Sequence, residues 1–155
     1  MSIRDNALRI ASGYVGVRET GRNMGPEVDV FLRSVGLGPG YAWCAAFVHH
    51  CCDRGSAAEG QDNPCPHTAG ALRLWDLCPS KWQVDEDEVA PGDVFVIDHN
   101  HGLGHVGFVE SVRDDGTLVT IEGNTSGNGS REGDGVYRRT RRRDEVNKGY
   151  LRIGG

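Results

Sequence analysis

No stretch of the 155 residues approaches the roughly 20 consecutive apolar residues that a membrane-spanning helix needs. An excess of basic residues is also lacking. Lys and Arg total 17 against 22 Asp and Glu, giving a net charge of −5 and a sequence pI near 5.6. That balance speaks against a protein whose main work is gripping phosphate backbones, so no nucleic-acid partner is expected. The opening residues Met1 to Asn6 hold no apolar core, and no standard secretion signal is visible. Internal repeats and interdomain linkers are missing too, so residues 1–155 read as one domain. Paired Cys-x-x-Cys knuckles are absent, which leaves a zinc reading of the cysteines weak.

What is present suits a soluble α+β fold. Hydrophobic residues make up 37% and charged residues 25%, outside the composition of a disordered chain. Apolar positions Ile3, Ala7, Ile10, Ala11, Tyr14 and Val15 recur at helical spacing, with Ser2 and Asp5 as a capping pair. Pro26 suits the first turn of a second helix, which Val28, Phe31, Leu32 and Val35 line on one face. A third helix is expected from near Trp43 to about Asp53, and a short fourth one after Thr68. From Asp93 the period changes to that of strands, at 94–97, 105–112, 118–121, 136–143 and 150–153. Their connections are short and turn-rich, which predicts N-terminal helices packed on a mostly antiparallel sheet of about five strands.

Three residues stand out for chemistry. Cys44 falls at the expected first turn of the third helix, where unpaired N–H groups and the helix dipole favour the nucleophilic thiolate. The same N–H groups suit an oxyanion. The plainer alternative is a small buried hydrophobe. His105 begins a strand after a glycine-rich turn and could serve as the base that such a thiol needs, with His99 and His101 as competitors in the preceding loop. Glu122 and Asn124, two apart on the next strand, would point to one face, and either could hold the imidazole. Trp43 could line a substrate groove or simply pack.

The series Trp43-Cys44-Ala45-Ala46-Phe47-Val48, Pro91-Gly92-Asp93-Val94, Gly104-His105-Val106-Gly107 and Ile121-Glu122-Gly123-Asn124 resembles a CHAP domain, the cysteine- and histidine-dependent amidohydrolase/peptidase family. The resemblance implies a papain-like fold with Cys44 as nucleophile, His105 as base, Glu122 as the residue orienting it and Asn124 as a polar fourth member. It also implies amide hydrolysis in bacterial peptidoglycan, through a thioester and with no cofactor or metal. Delivery to the wall or periplasm would follow holin-type release or dedicated secretion. An immunity or inhibitor protein and a monomeric state are the further expectations. The alternatives are another amide substrate, or a non-catalytic module binding the wall or an anionic polymer.

The remaining features carry open readings. Cys51, Cys52, Cys65 and Cys78 could be buried thiols, form disulfides or, with His67, bind zinc. The acidic run 85–88 lacks the spaced ligands of a calcium loop and reads as a solvated turn. Arginines from 138 to 143 alternate along a strand, as an exposed protected edge or a grip for anionic polymer.

Overall fold

The computed structural model describes residues 2–125 and 133–155. Four helices precede the main sheet: α1 (Ile3–Gly13), α2 (Pro26–Ser34), α3 (Cys44–Ala57) and α4 (Ala71–Leu77). The strands are β1 (Gln83–Val84), β2 (Val94–Asp98), β3 (Gly104–Val112), β4 (Leu118–Thr125), β5 (Gly135–Arg141) and β6 (Gly149–Leu151). They form one antiparallel sheet in the order β1-β6-β2-β3-β4-β5. The α+β architecture matches the sequence expectation, with a sixth strand added by the two-residue β1. The expected loop between Thr125 and Gly135 lies mostly outside the described residues.

Local chemistry explains the helix boundaries. Ser2 accepts from the Asp5 N–H at 3.1 Å while the Asp5 carboxylate accepts from the Ser2 N–H, a reciprocal capping box. Pro26 starts α2, where its missing N–H costs nothing. Helix α3 is the central one. Its residues Ala45, Ala46, Phe47, Val48, Cys51 and Cys52 are all buried, so it reads as apolar on most of its circumference. Gly55 lets α1 cross it closely: a Cβ there would lie 2.9 Å from the Ala7 nitrogen and 3.0 Å from the Ile3 carbonyl oxygen.

That contact yields a stability prediction. Gly55→Ala gains about 1 kcal/mol of helix propensity, but the obstructing atoms are backbone and do not swing aside. Overpacking of about 1–3 kcal/mol should dominate, and thermal unfolding of the variant should begin at a lower temperature. A raised melting temperature would refute the close crossing.

The sheet is buried on both faces. Val94, Val96, Val106, Phe108 and Ile121 join the helices in the larger core, while Phe95, Ile97, Val109, Leu118 and Tyr150 form a second cluster behind it. Alternation along β2 and β3 therefore places His105 and Gly107 on the side of Phe95 and Ile97. The Pro91-Gly92-Asp93 turn has a structural role. Asp93 is fully buried and accepts two bonds from Arg152, at 2.8 and 2.9 Å, tying the entry of β2 to the chain beyond β6.

Candidate active site

Cys44 opens α3 behind Trp43, whose backbone (φ −127°, ψ 16°) is not yet helical. Among the described residues no side chain caps this end, and no acidic residue stands in its first turn. The leading N–H groups thus lack intrahelical acceptors and present partial positive charge beside the sulfur. The thiol is only 5% exposed. Gly123 allows β4 to press against this helix start, since a Cβ there would fall 2.8 Å from Phe47 and 2.9 Å from the Trp43 ring.

His105 is buried at the start of β3, and its Nε2 lies 2.8 Å from Glu122 Oε1. Its other nitrogen, Nδ1, is buried without a hydrogen bond of ordinary geometry among the described residues. Burial by itself would lower the affinity of this ring for a proton. Hydrogen bonding with Cys44 and Glu122, and the negative charge of both, outweigh that and push the pKa up to about 9. That balance favours the protonated ring.

Glu122 is fully buried and its carboxylate is saturated. Besides His105 it accepts from Arg141 Nε at 2.6 Å, Arg141 Nη2 at 2.7 Å and Thr120 Oγ1 at 2.6 Å. Those four bonds occupy the acceptor positions that a carboxylate has. Burial would raise its pKa, but the bonds to Arg141 and His105 hold it well below the usual carboxylate range.

These shifts set a stability profile. Glu122 has its pKa depressed below 4.5, so its contribution is present above that value and is lost as pH falls. The His105 pKa rises from 6.5 to about 9, so its contribution is complete below 6.5 and is lost as pH climbs through 9. A thiolate paired with that imidazolium gains stability as pH rises toward the ordinary thiol range, so the two offset on the alkaline side. Melting temperature should therefore fall mainly below about pH 4.5, where Glu122 takes up a proton, and Cys44→Ala, which removes the offset, should show the steeper alkaline decline. A Cys44→Ala profile parallel to the wild type in a pH series of thermal melts would count against the Cys44–His105 interaction.

Other expectations need correction. At Asn124 simple alternation does not fix the face. A β-bulge between Glu122 and Thr125 interrupts the ladder, and Asn124 sits in it, buried, with φ 55°. The imidazole bonds Glu122 rather than Asn124. Trp43 has no exposed surface to line a groove. Its ring packs on Phe31 at 5.7 Å and its Nε1 donates to Glu19 at 2.7 Å. His99 and His101 are exposed in the turn before β3, and His101 has φ 57°.

The arginine strand is not uniformly outward. Arg141 is buried on Glu122, while Arg138 forms a forked pair with Glu110 and Arg142 bonds Asp144. Sequence reading missed both Arg141 and Thr120 as parts of the site. For Thr120 a signal did exist, since strand period places it on the Glu122 face; Arg141 reaches that face only through the pairing of β5 with β4, opposite Leu118.

Elsewhere, no disulfide joins the five cysteines, and all are buried. A hydrogen bond with Cys52, then burial, raises the Cys65 thiol well above its ordinary value. Burial does the same to Cys51 and pushes Cys78 up to about 11. No group of three or more metal-ligating side chains gathers among the described residues. His50 bonds the Tyr14 hydroxyl at 2.8 Å, and His49 meets Ser34 and Asn63, so both have packing partners. The acidic run forms an exposed single turn at Glu86–Glu88.

A central helix starting at a cysteine, laid on an antiparallel sheet whose neighbouring strands carry a histidine and a carboxylate, is the papain-like arrangement. A family model described as CHAP domain matches residues 36–124, more than half of the chain and all of Cys44, His105, Glu122 and Asn124. The chain belongs to the CHAP-domain family, whose members are typically amidase- or peptidase-type hydrolases of peptidoglycan. No curated protein and no solved structure matches the chain.

Proposed function

We propose that this protein hydrolyses an amide bond of bacterial peptidoglycan, at the muramoyl-alanine amide or within the peptide, using Cys44, His105 and Glu122. The observation that carries the reading is the buried His105, with Nε2 fixed on Glu122 and its ring interacting with Cys44.

The chemistry follows from that arrangement. Cys44 Sγ, as thiolate, adds to the carbonyl carbon while N–H groups at the start of α3 hold the developing oxyanion. As the C–N bond breaks, the His105 imidazolium gives its proton to the departing amine. Water then adds to the thioester carbon while neutral His105 takes a proton from it. Cleavage of the C–S bond releases the acid and restores the thiolate beside an imidazolium. Glu122 stays ionised throughout and holds the ring orientation, as the acid of such a triad does.

The rival polymer-binding reading rested on the arginine strand. Two of the arginines on that strand, Arg138 and Arg141, are each committed to a carboxylate. Access to the wall would come through holin-type release or dedicated export. The test is mass spectrometry of soluble fragments from purified sacculi incubated with the protein or with buffer. New fragments, whose masses identify the bond cut, are expected with the protein. A folded protein that releases nothing from several wall chemotypes refutes the proposal.

A further inference from the structure

Arg141 stands on β5, outside the segment 36–124 that the family model matches, yet its guanidinium is only 5% exposed and forks onto both oxygens of Glu122. Its Cζ lies 5.4 Å from the ring centroid of Phe95, a member of the second core cluster. A buried charge of this kind is costly unless it balances another. The balance extends along the whole row. With Cys44 as thiolate and His105 as imidazolium, the formal charges of Cys44, His105, Glu122 and Arg141 cancel. Without Arg141, forming the thiolate would leave a net negative charge among buried groups.

We infer that Arg141 is a positioning residue that supplies this missing charge, so that Cys44 becomes a thiolate at lower pH than Glu122 and His105 alone would permit. The inference rests on the proposed roles of Cys44, His105 and Glu122. Other charged groups stand near the row. Glu145, from the turn after β5, approaches Arg141 Nη1 at 3.8 Å and is about one-third exposed, so solvent screens it. Glu19 bonds Trp43 beside the α3 terminus, and His99 and His101 are exposed in the turn before β3. Arg141, by contrast, bonds directly to the carboxylate that holds His105.

The experiment is the pH profile of iodoacetamide alkylation at Cys44, read by mass spectrometry, which needs no wall substrate. In the wild-type protein Cys44 should react at neutral pH ahead of the other four cysteines. Arg141→Met should move the acid limb upward by about one unit, slowing reaction at pH 6 about tenfold with little change at the alkaline plateau. Arg141→Lys should recover most of the loss. Arg141→Gln, which keeps amide donors toward the carboxylate but carries no charge, should displace the limb as Arg141→Met does.

A profile of Arg141→Met that overlays the wild type, or a uniform drop at every pH, overturns the inference. Should Arg141→Met unfold, seen as alkylation of all five cysteines, Arg141→Gln decides: an acid limb that overlays the wild type overturns the charge balance. If the wild-type protein itself shows no reactive thiolate near neutrality, the proposed nucleophile fails first, which separates the two failures.

Discussion

Cys44→Ala should abolish fragment release from sacculi, by at least about a thousandfold, because no other side chain in the site can form the acyl intermediate. The fold should survive. The side chain is 5% exposed, and the change removes one sulfur from a position where alanine continues the helix. Melting temperature near pH 6 should therefore move by only a few degrees. Cys44→Ser makes the complementary case. It keeps a hydroxyl facing His105 but offers a far weaker nucleophile, and it should be nearly as inactive. Co-sedimentation with sacculi gives the control against a binding module: both variants should bind the wall as the wild type does while releasing nothing. Release by Cys44→Ala at a rate near wild type would place the chemistry elsewhere.

The parts of this site that were legible in the sequence are those carried by local signals. Cys44 announced itself by its place at a helix start, and His105 by a glycine-rich turn leading into a strand. Helix ends were legible for the same reason, since the Ser2–Asp5 box and Pro26 act within one turn. Features set by register were not. Arg141 sits in a run of five arginines interrupted by Thr140, and composition cannot say which of them turns inward. Only the pairing of β5 with β4 brings it to Glu122. The bulge that follows Glu122, in which Asn124 sits, is likewise not foreseen by strict alternation. Trp43 was read through its neighbour Cys44, yet adjacent residues at a helix start point in different directions, and its ring entered the core. Strand β1 escaped because two residues, Gln83 and Val84, carry no period of their own and pair only with β6.

Gly107→Ala should cut activity about a hundredfold through displacement of the triad rather than removal of any member of it. A Cβ at this position would lie 2.6 and 2.8 Å from Phe95 Cε2 and Cζ, and 2.9 Å from Glu122 Cγ. Neither neighbour has room to yield. Phe95 is fully buried, packs 5.9 Å from the His105 ring and carries the Arg141 guanidinium over its own face. Glu122 is held by four bonds whose loss would uncover its charge. The strain should appear as about 1–3 kcal/mol of lost stability and as a shift of the carboxylate away from His105. Gly107→Ala/Phe95→Leu tests the cause, because leucine lacks the ring atoms that the new methyl would strike. The double variant should regain part of both activity and melting temperature, with the larger gain in activity if Glu122 returns to the imidazole. Gly107→Ala with wild-type turnover would show that the ring and the carboxylate move aside freely, and that the glycine in the Gly-His-Val-Gly segment serves some other need.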